Sequence, residues 1–109
     1  MAKGIYIQKG EVIDFINNTG ADIAYGDVVP IGSRIGIAAE NIAKGATGSL
    51  NVTGVYELPA QNDITFNVGD EVYWDNTAGN VTKTAGTIRA GWVVEAKAQT
   101  ETTAKVKIN

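Results

Sequence analysis

The sequence contains no cysteine and no histidine, one methionine, two prolines and two phenylalanines. Without cysteine there is no disulfide framework, no thiolate metal site and no cysteine nucleophile. Without histidine the Ser-His-Asp and Cys-His triads, the usual zinc sites and the commonest general base are excluded as well. Charge is also sparse. Nine basic residues stand against twelve acidic ones, a formal net charge of −3. The basic residues are scattered, so no patch exists to neutralise nucleic-acid phosphates, and no nucleic-acid partner is expected. No run approaches the length of a membrane span, and "MAKGIYIQKG" lacks the apolar stretch of an export signal. The expectation is a chain that works in, or is assembled in, a cytoplasm, with no membrane partner.

What is present is glycine. Thirteen glycines punctuate short runs of alternating apolar and polar residues along 109 residues, enough for one ordinary domain. Leu50, Val52, Tyr56 and Leu58 share one parity, as do Val72 and Trp74, and Ala104, Val106 and Ile108. Period 2 places each set on one face of a strand. The fold class expected is all-β: a single compact β-barrel or β-sandwich spanning residues 11–109, preceded by an extended N-terminal arm over residues 1–10. "EVIDFIN" is apolar on both faces and reads as a strand covered on both sides. "AAENIAKG" carries the one helical hint, a single turn at most.

A faint internal echo runs through the chain, open to two readings, chance or pseudo-symmetry. "GDVVPIG" from Gly26 is echoed by "GDEVYWD" from Gly69, and "RIGIAAE" from Arg34 by "RAGWVVE" from Arg89. The second copy carries a longer connection, chiefly "NTAGNVTKTAGT". Ile35, Ile37 and Ala39 would face inward in the first copy, and Ala90, Trp92 and Val94 in the second. Read as pseudo-symmetry, the echo describes two similar β-units packed into one barrel or sandwich.

Candidate sites are few. Asp70, Glu71 and Asp75 lie close together, and paired carboxylates can do acid–base work. Yet Asp beside Gly69 suits a turn, and Asp75-Asn76-Thr77-Ala78-Gly79-Asn80 suits a hairpin loop. The same oxygen donors lack the spacing of a calcium loop. Lys44 precedes Gly45 and Gly48, so "AKGATGSL" is no phosphate loop. No catalytic residue, cofactor or metal is therefore expected, and the protein is read as a non-enzyme. Trp74 and Trp92 fall on the inward parity and read as core, whereas Tyr73 falls outward and suits a surface contact. In the arm, Ile5 and Ile7 alternate with Tyr6 and Gln8, a pattern that reads either as a frayed terminus or as strand addition on a neighbour.

The order of "GDVVPIG…IGIA", "IAKGATGSLNVTGVYELP", "GDEVYWD" and a final "VKIN" resembles the small phage capsid cement and decoration proteins, from Met1 to Asn109. "GVYELP" followed by "VYWD" carries the likeness most specifically. The resemblance implies a β-rich structural protein of the virion. It would bind the outer surface of a phage head assembled in the host cytoplasm and stabilise contacts between major capsid protein subunits, as a homotrimer. Contact candidates are Lys3, Ile5, Tyr6, Ile7 and Gln8 in the arm, with Tyr73, Asp75, Asn76, Thr77 and Asn80 around the hairpin. The alternative is a carbohydrate-binding β-domain presenting Tyr73 and its loop.

Overall fold

Two turns of the same design set the frame. In Ala24–Asp27 and Asn67–Asp70, the third residue, Gly26 or Gly69, has φ of 86° or 91°. That left-handed conformation is open to glycine without steric cost. In each turn the Asp N–H donates to the carbonyl three residues back, and the Asp carboxylate accepts from the N–H of that same residue, at 2.9 Å in the first and 2.8 Å in the second. The computed structural model describes residues 1–109. It has nine strands and no helix.

The first four strands are β1 (Val12–Ile16), β2 (Val28–Ile31), β3 (Arg34–Ala38) and β4 (Thr47–Asn51), in the sheet order β1-β4-β3-β2. Next come β5 (Gly54–Pro59), β6 (Glu71–Asp75), β7 (Asn80–Thr82), β8 (Arg89–Val93) and β9 (Thr103–Ile108). They form a second sheet of order β5-β9-β8-β6-β7. All named pairings are antiparallel.

The second sheet repeats the first, register included. Val29 pairs with Gly36, and Val72 with Gly91. Ile13 pairs with Leu50, and Tyr56 with Val106. Ala38 pairs with Leu50, and Val93 with Val106. The irregular segments match too. Ile23 and Ile42 exchange backbone hydrogen bonds of 2.9 and 2.8 Å, and Phe66 and Lys97 exchange bonds of 3.1 and 2.9 Å. The duplication therefore covers β1–β4 and β5, β6, β8 and β9, well beyond the Gly-Asp and Arg-x-Gly echoes.

Strand β7 has no counterpart in the first unit. Its Val81 pairs with Trp74, forms a parallel bridge to Ala60 and accepts a 2.8 Å bond from the Gln61 N–H. It thus joins both ends of the second sheet and closes it. The first sheet remains open between β1 and β2. The two sheets pack through Ile35 and Ile37 of β3, which belong to a core of thirteen buried residues with Val72, Trp74, Val81, Val93 and Val106. A smaller cluster of Ile23, Val29, Ala38, Ile42 and Leu50 fills the first unit. The molecule is flat, with extents of 42 × 41 × 21 Å.

Three expectations change. The helical hint in "AAENIAKG" gives no helix. Ile42 is held by its reciprocal bonds to Ile23, and Ala39 donates to Ser49 at 2.9 Å, so tertiary pairing takes the groups a helical turn would use. Strand β1 is covered on one face only. Ile13 and Phe15 are half-buried, while Val12 and Ile16 are exposed. Last, Trp92 is half-buried and outside the core, Val94 is half-buried, and Val93 takes the inward place. The cause is a bulge: Val72 faces Gly91 but Tyr73 faces Arg89, so Ala90 is the extra residue and parity slips.

Candidate functional site

The three acids at the two ends of β6 are all engaged in structure. Asp70 accepts the Asn67 N–H at 2.8 Å and pairs with Lys83 Nζ at 3.3 Å. The Asn67 bond, with Lys83 adding to it, holds the Asp70 carboxyl below the usual carboxylate range. Glu71 binds the Arg89 guanidinium, which also donates to Asn109. Asp75 Oδ1 accepts from the N–H groups of Thr77 and Ala78, each at 3.0 Å, and its carbonyl accepts the Gly79 N–H at 2.7 Å. That is the work of a turn. No set of three or more His, Cys, Asp and Glu side chains converges to hold a metal ion.

The hairpin tip borders an open groove of about 480 Å³. Tyr73, Asp75, Asn76 and Asn80 line it together, with Gln61 and the segment Thr84–Ile88 on the other wall. Thr77 sits exposed at the tip, outside the lining. Trp74 reaches the groove as well, and its indole N–H donates to Asn76 Oδ1 at 3.2 Å while the residue is only 9% exposed. The far wall was not legible in the sequence, because it depends on how the loop after β7 folds back.

The arm candidates lie elsewhere. Lys3, Ile5, Tyr6, Ile7 and Gln8 are all exposed. One side-chain hydrogen bond, Gln8 to the Val12 carbonyl at 3.3 Å, ties the arm to the body. No hydrogen bond joins the arm to the hairpin. Two further apolar side chains stand out in the same structural place of each unit. Tyr25 and Val68, at 74% and 63% exposure, precede Gly26 and Gly69 in the matching turns. The repeat itself was the signal that could have found them.

Comparison with known families matches residues 7–108 to the phage cement protein family. The chain belongs to that family. Membership associates this cement-family chain with the phage capsid and with a structural role. The match includes the whole β6–β7 hairpin but only Ile7 and Gln8 among the arm candidates. No curated protein and no solved structure matches the chain.

Proposed function

We propose that this cement-family protein binds the outer surface of an assembled phage head as a homotrimer and stabilises contacts between neighbouring major capsid subunits. The family match over nearly the whole chain carries the reading. Chemistry supports it: the acids of the hairpin serve turns and ion pairs, and cement needs no reacting group. A plate 21 Å thick and about twice as wide offers two broad faces for its mass. Modest contacts repeated by symmetry then sum to tight attachment.

The contacts assigned are Lys3, Ile5, Tyr6, Ile7 and Gln8, together with Tyr73, Asp75, Asn76, Thr77 and Asn80. Ile5, Tyr6 and Ile7 are 83%, 79% and 82% exposed, three consecutive apolar side chains with nothing of their own chain to cover them. An apolar run of that kind supports a partner contact. Virion attachment would follow head assembly in the host cytoplasm.

Purified protein added to undecorated heads tests the reading. Binding at fixed stoichiometry with raised resistance to heat or chaotrope is expected. Saturable binding that leaves particle stability unchanged would reduce the role to decoration, and no binding would overturn it. The groove beside Tyr73 favours a carbohydrate-binding domain as the second reading. Glycan binding by protein that ignores heads would establish that reading instead.

A further inference from the structure

The two units treat the same arginine differently. In the second unit the Arg89 guanidinium is engaged twice, binding Glu71 and donating to Asn109. Its counterpart in the first unit is Arg34, since each stands two residues before the glycine that pairs with Val29 or Val72. Neither partner is repeated. Val28, which faces Ile37, holds the place of Glu71, which faces Trp92. Thr53, three residues past Leu50, holds the place of Asn109, three past Val106. Arg34 is exposed and takes part in none of the chain's ion pairs. Its one side-chain hydrogen bond runs to the carbonyl of the neighbouring Ser33, at 3.3 Å.

This free guanidinium stands on an apolar groove. Arg34 lines a groove of about 440 Å³ together with Ile13, Ile31, Ile35 and Val52. Ile13, Ile31 and Val52 are only half-buried, so the groove has apolar surface left to cover. Arginine offers paired donors in one plane that match a carboxylate, and such a pair is stronger beside apolar surface than in open water. The groove therefore suits a segment that sets a carboxylate next to an apolar side chain. The chain's own arm does not have that chemistry. It leaves from Gly10, on the groove wall, and carries Ile5, Tyr6 and Ile7, but its charged side chains are Lys3 and Lys9. Cation would meet cation.

We infer that the groove beside Arg34 docks a segment of a capsid protein that carries a carboxylate next to an apolar side chain. Arg34 receives the carboxylate, and Ile13, Ile31 and Val52 receive its apolar neighbour. The capsid as the source of that segment rests on the proposed function. The acidic and apolar chemistry rests on the groove alone, and on the loss in the first unit of both partners that occupy Arg89 in the second.

Two measurements test the site and its partner separately. The first titrates the full chain with the blocked peptide acetyl-Leu-Glu-Leu-amide, and with acetyl-Leu-Gln-Leu-amide as its uncharged match, followed by NMR. The acidic peptide should shift the signals of Arg34, Ile13, Ile31 and Val52 and bind about tenfold or more tightly than the neutral one. Arg34→Gln should remove that preference. Equal response to the two peptides, or no shift at these residues, would overturn the site. The second measurement uses undecorated heads. Arg34→Gln should weaken their binding about tenfold or more, and Arg34→Lys by less. Lys44→Gln removes the same charge from an exposed residue outside the groove and should leave binding unchanged. An equal loss from Lys44→Gln would reduce the effect to overall charge, and heads bound alike by wild type and Arg34→Gln would overturn the docking role. A fall in oligomer mass with Arg34→Gln would give the groove to a second copy and overturn it as well. Heads that bind no form of the protein, with the peptide preference intact, would sink the capsid role alone.

Discussion

The first unit, β1–β4, and the second, β5–β9, share a ladder but not a core. Where the first places Ile23 and Ile42 across from each other, the second places Phe66 and Lys97. The first is filled by five buried residues, whereas the second, closed by β7, anchors a cluster of thirteen. A register shared outside the β8 bulge, with different filling, teaches that turns and hydrogen-bond parity set the ladder, while packing is solved locally around it.

Lys97 shows how far that latitude goes. It is 2% exposed, and its Nζ donates to the Ile64 and Ala98 carbonyls at 2.7 and 3.1 Å, above the Phe66 ring at 5.3 Å. Its stem fills the place of Ile42 and its head group satisfies the Ile64 carbonyl, in the connection from β5 to β6, and that of the adjacent Ala98. The first unit uses a different tether. There Asn17, 1% exposed, donates to the Ala21 and Ile42 carbonyls at 2.8 and 2.9 Å. Each unit thus carries one buried polar side chain, at different positions, to hold its irregular segment.

The largest break in the comparison is expected at the paired glycines. A Cβ on Gly91 would lie 2.0 Å from the Lys107 carbonyl oxygen, and φ there is +149°. Gly91→Ala should cost about 4 kcal/mol or more. At Gly36, the first-unit equivalent, a Cβ meets Leu50 Cδ1 at 3.1 Å. Gly36→Ala should cost about 1–2 kcal/mol, as modest overpacking does. Chaotrope denaturation of both variants checks this, and equal losses would contradict the bulge account.

The cores come next. Phe66→Ala should lose about 3–5 kcal/mol, since it empties a fully buried site. Ile23→Ala should lose about 2–3 kcal/mol, because its smaller side chain leaves less to vacate. Thermal midpoints should therefore rank wild type, Ile23→Ala, Phe66→Ala. Lys97→Met keeps the stem but orphans two carbonyls, for a loss of about 1–3 kcal/mol. A gain in stability on that change would show that burying the ammonium costs more than its bonds return.

The smallest effect separates the matching turns by acid. Asp70 has its folded pKa depressed, so the linked stability is present above the unfolded value of about 3.9 and is lost as pH falls through the folded value. Asp70→Asn should flatten the loss of stability below about pH 4. Midpoints measured across that range check it. A variant that keeps the wild-type slope would remove the Asn67 and Lys83 contacts as its source.

Much of this was legible in the sequence. Parity placed Leu50, Val72, Trp74, Val106 and Ile108 in the core, and each is buried. The role of Asp75 was readable because its turn bonds run to residues two and three ahead. Trp92 was not, since a bulge leaves no mark on local alternation. Of the hairpin candidates, Tyr73, Asp75, Asn76 and Asn80 share a groove whose far wall is distant in sequence.

The sequence by itself determined the strands, the turns and the echo of one unit in the other, because these follow from period 2 and from residues a few positions apart. Tertiary structure alone decided that β7 closes one sheet and leaves the other open. That choice depends on Val81 reaching Ala60, a contact between residues far apart in the chain, and no local pattern encodes it.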